Sequence, residues 1–537
     1  MTLQAEAVAT MPTYRRKLGP NELSYFLPSR AYGLNDMFVR IVFHGPPALV
    51  SPLRIRIAWA VMRLRHSTLA CRVEMQPGDY DNAQFAYTPP SCPSQLLEEA
   101  AAFVHFHSDI SGPALLDLIL NGPRMLTSDS LSRIDVVRRG QVSPGIHEFH
   151  LALTAHHMIG DALAGQQCMQ QMLEFLAGSV PGGAPRTDSQ LLGLLNDEWT
   201  GRWGGHCPAN LDGAIVPAIE SRISGIRDSK FYKAVWKVDQ QNLEKRVIGG
   251  QQLPRTKSTT KNTRFFRAKF SASQTNDLLA KCKSQGVSPQ DAVFAICNSA
   301  WIRLCRVHPE FRAPDALPTL MYTAINIRRL LPLAPAGQLD FSLALGYHTV
   351  TLPSFGPRAL AGERAMFWAR ARAVRQQIGA YTRSPLLPGR VAATGVERAA
   401  RAKRWAHLDD GLRGPQPAAL PPAPAPPPAL IGVTQTGDVS RHVFREERYP
   451  ALKLVDVTGG TRKGPGGLLL TTRVFQGQFM LWLVWDAAAR PAGLVEAFWR
   501  NMVDGVHEYM LEDPSLRGTA EEEDCLTGMP LGVHGKL

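Results

Sequence analysis

The chain has 537 residues, 45% of them hydrophobic and 20% charged, with a formal net charge of +13. That length holds more than one hydrophobic core, two to four domains of ordinary size, and the composition is globular. No run reaches the roughly 18 apolar residues of a membrane helix, residues 1–12 lack a signal-peptide pattern, and the eight cysteines form no C-x-x-C pair; the expectation is a soluble, reduced, cytoplasmic protein with no membrane span.

Residues 18–25 (LGPNELSY) lead into an extended run at 37–43. Ser51-Pro52 then opens a helix, since Ser caps and Pro suits the first helical position; its broad apolar face includes Ile55, Trp59 and Met62 and runs to about Leu64. Residues 98–106 and 113–120 read as short helices and 132–137 as a strand. An apolar strand follows at 149–155, then His156, His157, a turn through Gly160, and Asp161. The next helix repeats Met169, Met172, Leu173 and Leu176 and stops at Gly178. Residues 179–262 are polar and weakly periodic and read as a crossover between two subdomains, 1–178 and 263–537. In the second, 263–270 is a strand and 273–284 a helix. Ser288-Pro289-Gln290-Asp291 is a strong helix start, and 319–327 and 345–352 are strands.

Residues 358–413 hold twelve Lys/Arg against four Asp/Glu, so one helical, Arg-rich segment supplies most of the positive surplus. It lacks interleaved aromatic residues and any nucleic-acid module, so nucleic acid is not expected as a partner and a solvated basic face is. A basic rim of this kind also attracts phosphates. Residues 415–428 carry eight prolines and read as a mobile insertion. Strand 430–438 ends in Thr434, Thr436 and Gly437; 468–475 and 478–486 form a hairpin through Gln476-Gly477; an amphipathic helix follows, and the acidic 521–524 reads as a mobile tail.

The stretch from 156 to 161 is where chemistry is best mounted. Adjacent strand residues point to opposite faces, so His156 and His157 make a poor chelate and no metal site is expected; one imidazole at a strand end suits a general base. The plain structural readings are a satisfied core or surface histidine and an ordinary Asp161 helix cap.

His156-His157-x-x-x-Asp161 resembles the HHxxxDG signature of the coenzyme A-dependent acyltransferase superfamily, with Ala162 in place of the final Gly. That superfamily includes the chloramphenicol acetyltransferase fold, BAHD and alcohol acetyltransferases and the condensation domains of peptide synthetases. Arg65-His66-x-x-Leu69 resembles its RHxxL block, and Thr434 to Gly437 its Ser-x-Gly block; the BAHD DFGWG block is absent. The resemblance implies an α/β fold of two similar subdomains with mixed sheets, flanking helices and a tunnel between them. It implies His157 as base, with His156 and Asp161 in the catalytic motif, Arg328 or Arg65 pairing with Asp161, and Thr434, Thr436 and Gly437 as oxyanion or acyl-site candidates. The implied reaction moves an acyl group, acetyl the simplest, from acyl-CoA to a hydroxyl of a small secondary metabolite. The enzyme would be a monomer with acyl-CoA as cosubstrate and no permanently bound cofactor. Two alternatives of the same fold are a condensation-type enzyme drawing on a carrier-protein thioester and an inactive binding protein.

Overall fold

The structure is a computed structural model that describes residues 11–178, 183–204, 214–225, 229–244, 249–312, 317–332, 340–356, 362–411, 429–513, 515 and 518–531. Two sheets carry it. The first has five strands in the order Lys453–Thr461, Met37–Gly45, Ile146–Ala155, Ser132–Ser143, Val104–His107. The second has eight: Leu345–Leu352, Thr319–Asn326, Ile431–Asp438, Leu468–Phe475, Gln478–Asp486, Thr263–Lys269, Glu521–Asp524 and Met529–Pro530. A small three-stranded sheet, Tyr14–Lys17, Gln84–Tyr87 and Arg72–Glu74, lies beside the first.

Local signals placed the main helices. Ser51 accepts from Arg54 N–H and starts Pro52–Arg65. Ser288 and Asp291 form a reciprocal capping box at the start of Pro289–Val307. The turn Gln476-Gly477 has φ of 47° and 75°, the doubly left-handed backbone that closes a two-residue hairpin. Strand Gln478–Asp486 is buried on both faces: Trp482 and Val484 join the core of the first subdomain, while Leu481, Leu483 and Trp485 join the core of the second.

Two expectations needed correction. The helix read at 98–106 ends at Ala102, and Val104–His107 is an edge strand parallel to residues 134–137. The acidic tail 521–524 is a strand against Thr263–Lys269, held by Arg264–Asp524, Arg267–Glu523 and the Trp499 indole N–H to Glu522. Strand Lys453–Thr461, from the second half, pairs with Met37–Gly45 in the first sheet. Its Asp456 lies between Arg40 and Arg267, a buried ionic tie between the two halves.

The Arg-rich segment is two helices, Glu363–Thr382 and Leu387–Asp409. They are less solvated than expected: Arg370 is buried against Asn298, and Arg390 is paired with Asp239 of helix Lys230–Glu244 within the crossover. The Pro-rich stretch 415–428 lies outside the described residues. Among the described residues no helix is long and apolar enough to cross a membrane, and no group of three His, Cys, Asp or Glu side chains is placed to hold a metal ion.

Candidate active site

Strand Ile146–Ala155 runs apolar to its end, a 3-residue link follows the two histidines, and Asp161 caps helix Ala162–Ala177 by accepting from the N–H groups of Leu163 and Ala164, each at 3.1 Å. The same carboxylate takes a two-pronged pair from Arg328, at 2.9 and 3.0 Å, and a backbone bond from Ala344 at 3.0 Å. With five donors on two oxygens and 2% of its surface exposed, Asp161 has no capacity left for proton transfer. Arg328 also donates to the Ser342 carbonyl. Arg65, the other candidate partner, instead pairs with Glu198 and lies over the Phe175 ring. Ala162 is exposed at the helix start, so nothing approaches the backbone where Gly was expected. The close approach is two residues earlier, at Gly160, where a Cβ would come within 2.5 Å of the Phe341 ring.

The two histidines diverge as the strand geometry requires. His156 is 1% exposed and takes Arg124 Nη2 at 2.9 Å on Nε2. Arg124 is itself paired with Asp36. Burial, aided by the Arg124 charge, pushes the His156 pKa down to about 3. His157 points the other way and keeps partial access to solvent. Its ring stacks on Tyr25, centroids 4.4 Å apart and planes 20° from parallel. Burial lowers its pKa most and the Arg398 charge adds to that; the carbonyls of His157 itself and Gly160, and the Asp161 charge, pull it back up. Among the described residues no hydrogen-bond partner is placed for its buried Nδ1.

Around His157 lies a group that sequence reasoning missed. Tyr25 Oη and Tyr347 Oη are 2.5 Å apart. Arg398, from the Arg-rich helix Leu387–Asp409, lies over both rings, its Cζ 4.0 Å from the Tyr347 centroid and 5.0 Å from that of Tyr25. Tyr322 completes the group. It leaves 45% of its surface accessible, yet it sits on an inner strand of the larger sheet and desolvation raises its phenol pKa. That accessible face borders open space beside the Tyr25–Tyr347–Arg398 group. Tyr322 pairs with Gly432, over which its ring lies, so Gly432 and Thr434 share its face of strand Ile431–Asp438. The strand then bulges, with Gly437 at φ 74°. Both threonines are part-buried, and the buried Thr436 hydroxyl has no hydrogen-bond partner among the described residues. The available signals were weak: Tyr25 ends the 18–25 block, Tyr347 stands in a plain strand, and Arg398 is one Arg among many.

No family model and no curated protein matches the chain. Solved structures do. The TRI3 trichothecene 15-O-acetyltransferase of Fusarium sporotrichioides superposes with a TM-score of 0.69 at 12% identity, over 93% of this chain and 95% of that one. The condensation domain of the monacolin K polyketide synthase MokA gives 0.55 at 13% identity, over 94% and 99%. The EpoB cyclization-docking bidomain of Sorangium cellulosum gives 0.54 at 12%, over 93% and 86%. The chain therefore has the two-subdomain α/β fold common to these acetyltransferase and condensation structures, the fold of the coenzyme A-dependent acyltransferase and condensation superfamily.

Proposed function

We propose that the protein is an acyltransferase that moves an acyl group, acetyl the simplest, from acyl-CoA to a hydroxyl of a small, secondary-metabolite-type acceptor, with His157 as general base. The observation that carries this reading is the state of His157: part-accessible, clamped on Tyr25, and held neutral by burial, beside an Asp161 fully spent on structure. A neutral imidazole removes the acceptor's proton as its oxygen attacks the thioester carbonyl. The tetrahedral oxyanion then needs a donor, and the unpartnered hydroxyl of Thr436 supplies it, with Thr434 the alternative. Collapse breaks the C–S bond, and the departing thiolate takes the proton from His157. The imidazolium that exists between these steps is supported by the nearby Asp161 charge. No covalent acyl-enzyme forms, so no nucleophilic Ser or Cys is required. His156 supports the strand end through Arg124 and Asp36 and does not touch substrate.

The test is incubation with several acyl-CoAs and a panel of alcohols, following liberated thiol. His157→Ala is expected to lower turnover by roughly a hundred- to ten-thousandfold without unfolding the chain. Thr436→Val is expected to lower it by about a hundredfold or more. A His157→Ala protein with most of its activity overturns the base assignment.

A second reading has support in the condensation structures of the same fold: the acyl group arrives on a carrier-protein thioester. The base chemistry is unchanged, and offering an acylated carrier protein beside free acyl-CoA separates the two. Release of no thiol from either donor would leave a binding protein of this fold.

A further inference from the structure

No carboxylate among the described residues pairs with the Arg398 guanidinium. Among the described residues its contacts are the Ser24 hydroxyl, 3.4 Å from Nε, and the faces of Tyr25 and Tyr347. Burial works against its charge most, and the Tyr347, Tyr25 and Tyr322 side chains act in the other direction. Several interior Arg side chains have acids: Arg328 has Asp161, Arg124 has Asp36, Arg267 and Arg40 have Asp456. Others, Arg63, Arg370, Arg473 and Arg490, donate to backbone carbonyls. Among the described residues the guanidinium ends of Arg398 have neither kind of acceptor. An interior cation costs free energy unless it is paired, and two aromatic faces offset only part of that cost. Tyrosine faces also hold the planar fork still, which prepares it for a flat, two-oxygen anion.

Position makes this more than an oddity of packing. Arg398 touches the same Tyr25 ring that stacks on His157, so an anion bound there sits within one side chain of the proposed base. Tyr322, on the strand that pairs with that of Tyr347, keeps 45% of its surface accessible beside it.

We propose that Arg398 is a specificity residue that binds a carboxylate carried by one of the two reacting partners, either the far end of a dicarboxylic acyl group or the acceptor alcohol. The proposal rests on the acyltransferase reading for the identity of the partners, but not for the charge. The bound carboxylate pairs with the guanidinium on its open side while Tyr25 and Tyr347 keep the other sides, and the reacting hydroxyl or thioester is thereby anchored beside His157. Anion binding also cancels the positive field of Arg398 on the imidazole, making His157 a stronger base only when the anionic partner is present.

Calorimetric binding to the full chain tests this with matched pairs: malonyl-CoA against acetoacetyl-CoA for the donor, and ω-hydroxyhexanoate against ω-hydroxyhexanamide for the acceptor. In the wild type the carboxylate member of one pair is expected to bind about ten- to hundredfold more tightly, and which pair it is identifies the source. Arg398→Met is expected to abolish that preference and leave the neutral member's affinity unchanged; Arg398→Lys, which keeps the charge but loses the fork, is expected to retain it in weakened form. Equal affinities within both pairs overturn the proposal, as does a preference that survives in Arg398→Met. Because binding needs no turnover, these results stand whatever His157→Ala does to thiol release, so failure here and failure of the acyltransferase reading are separable.

Discussion

Two histidines adjacent in sequence end up with opposite lives. His156 is locked to Arg124 inside the first subdomain, and His157 stacks on Tyr25. The lowered pKa of His157 has a sign consequence. A base must be neutral, so activity is full above its pKa and falls as pH drops through it; the acid limb of kcat/KM is expected below the ordinary 6.5. Arg398→Gln removes one of the charges that lower it, so the limb is expected to move up in pH, which a pH–rate profile of the two proteins checks. The Asp161–Arg328 pair makes a different demand. Removing one member of a buried ion pair strands the other, so Arg328→Met is expected to cost about 3–5 kcal/mol in a denaturant melt. Asp161→Asn is expected to cost less, because Asn still caps the helix.

At the scale of elements, the strand Ile431–Asp438 controls the space beside Tyr322 through a glycine. A Cβ on Gly432 would sit 2.8 Å from two carbons of the Tyr322 ring and 3.0 Å from Leu469. The ring, 45% accessible, has room to move. Gly432→Ala is therefore expected to push Tyr322 into the space it borders, raise KM for the acceptor several-fold, and lower stability by about 1–2 kcal/mol. Kinetics together with a thermal melt check this; an unchanged KM would mean that Tyr322 does not border the substrate. The helix Leu387–Asp409 is the other element with a double role. Its Ala399, Ala402 and Ala406 face join the first core, and Arg398 extends from it over Tyr347. A charge-rich segment read as a solvated face thus carries a functional candidate, because an amphipathic pattern reports which residues are polar but not which polar residue meets a cavity.

At the scale of the whole molecule, buried neutral histidines make folding sensitive to acid. His156 is pushed down to about 3, and His66 and His348 to about 4, in each case chiefly by burial. Their unfolded values lie near 6.5, so the unfolded chain binds more protons below that pH and stability falls as pH drops from 6.5 toward 4. Glu220, raised to about 7 by burial, acts in the opposite sense between 4.5 and 7, and Asp36, Glu99 and Glu522, whose carboxyls burial also raises, act in that sense too. His105, His150 and His157, all lowered by burial, add to the first effect. A melting temperature that falls steeply between pH 6.5 and 4 is the expected outcome, and a flat profile over that interval contradicts it. The strand Lys453–Thr461 adds a coupling between halves, since acid strong enough to protonate Asp456 also removes the anion that ties Arg40 to Arg267.

What the residues determined by themselves was local. The caps at Ser51, Asp161 and Ser288, the Gln476-Gly477 turn, and the divergence of His156 and His157 depend on neighbours a few positions away, which composition and spacing encode directly. What only the tertiary structure decided was which distant groups meet. Arg328 rather than Arg65 reaches Asp161 across 167 positions of chain, Lys453–Thr461 joins the sheet of the other half, and Glu521–Asp524 becomes a strand rather than a tail. The Tyr25–Tyr322–Tyr347–Arg398 group belongs to the same class. Its members stand on four separate elements, and their mutual contacts exist only once sheets and helices have packed together.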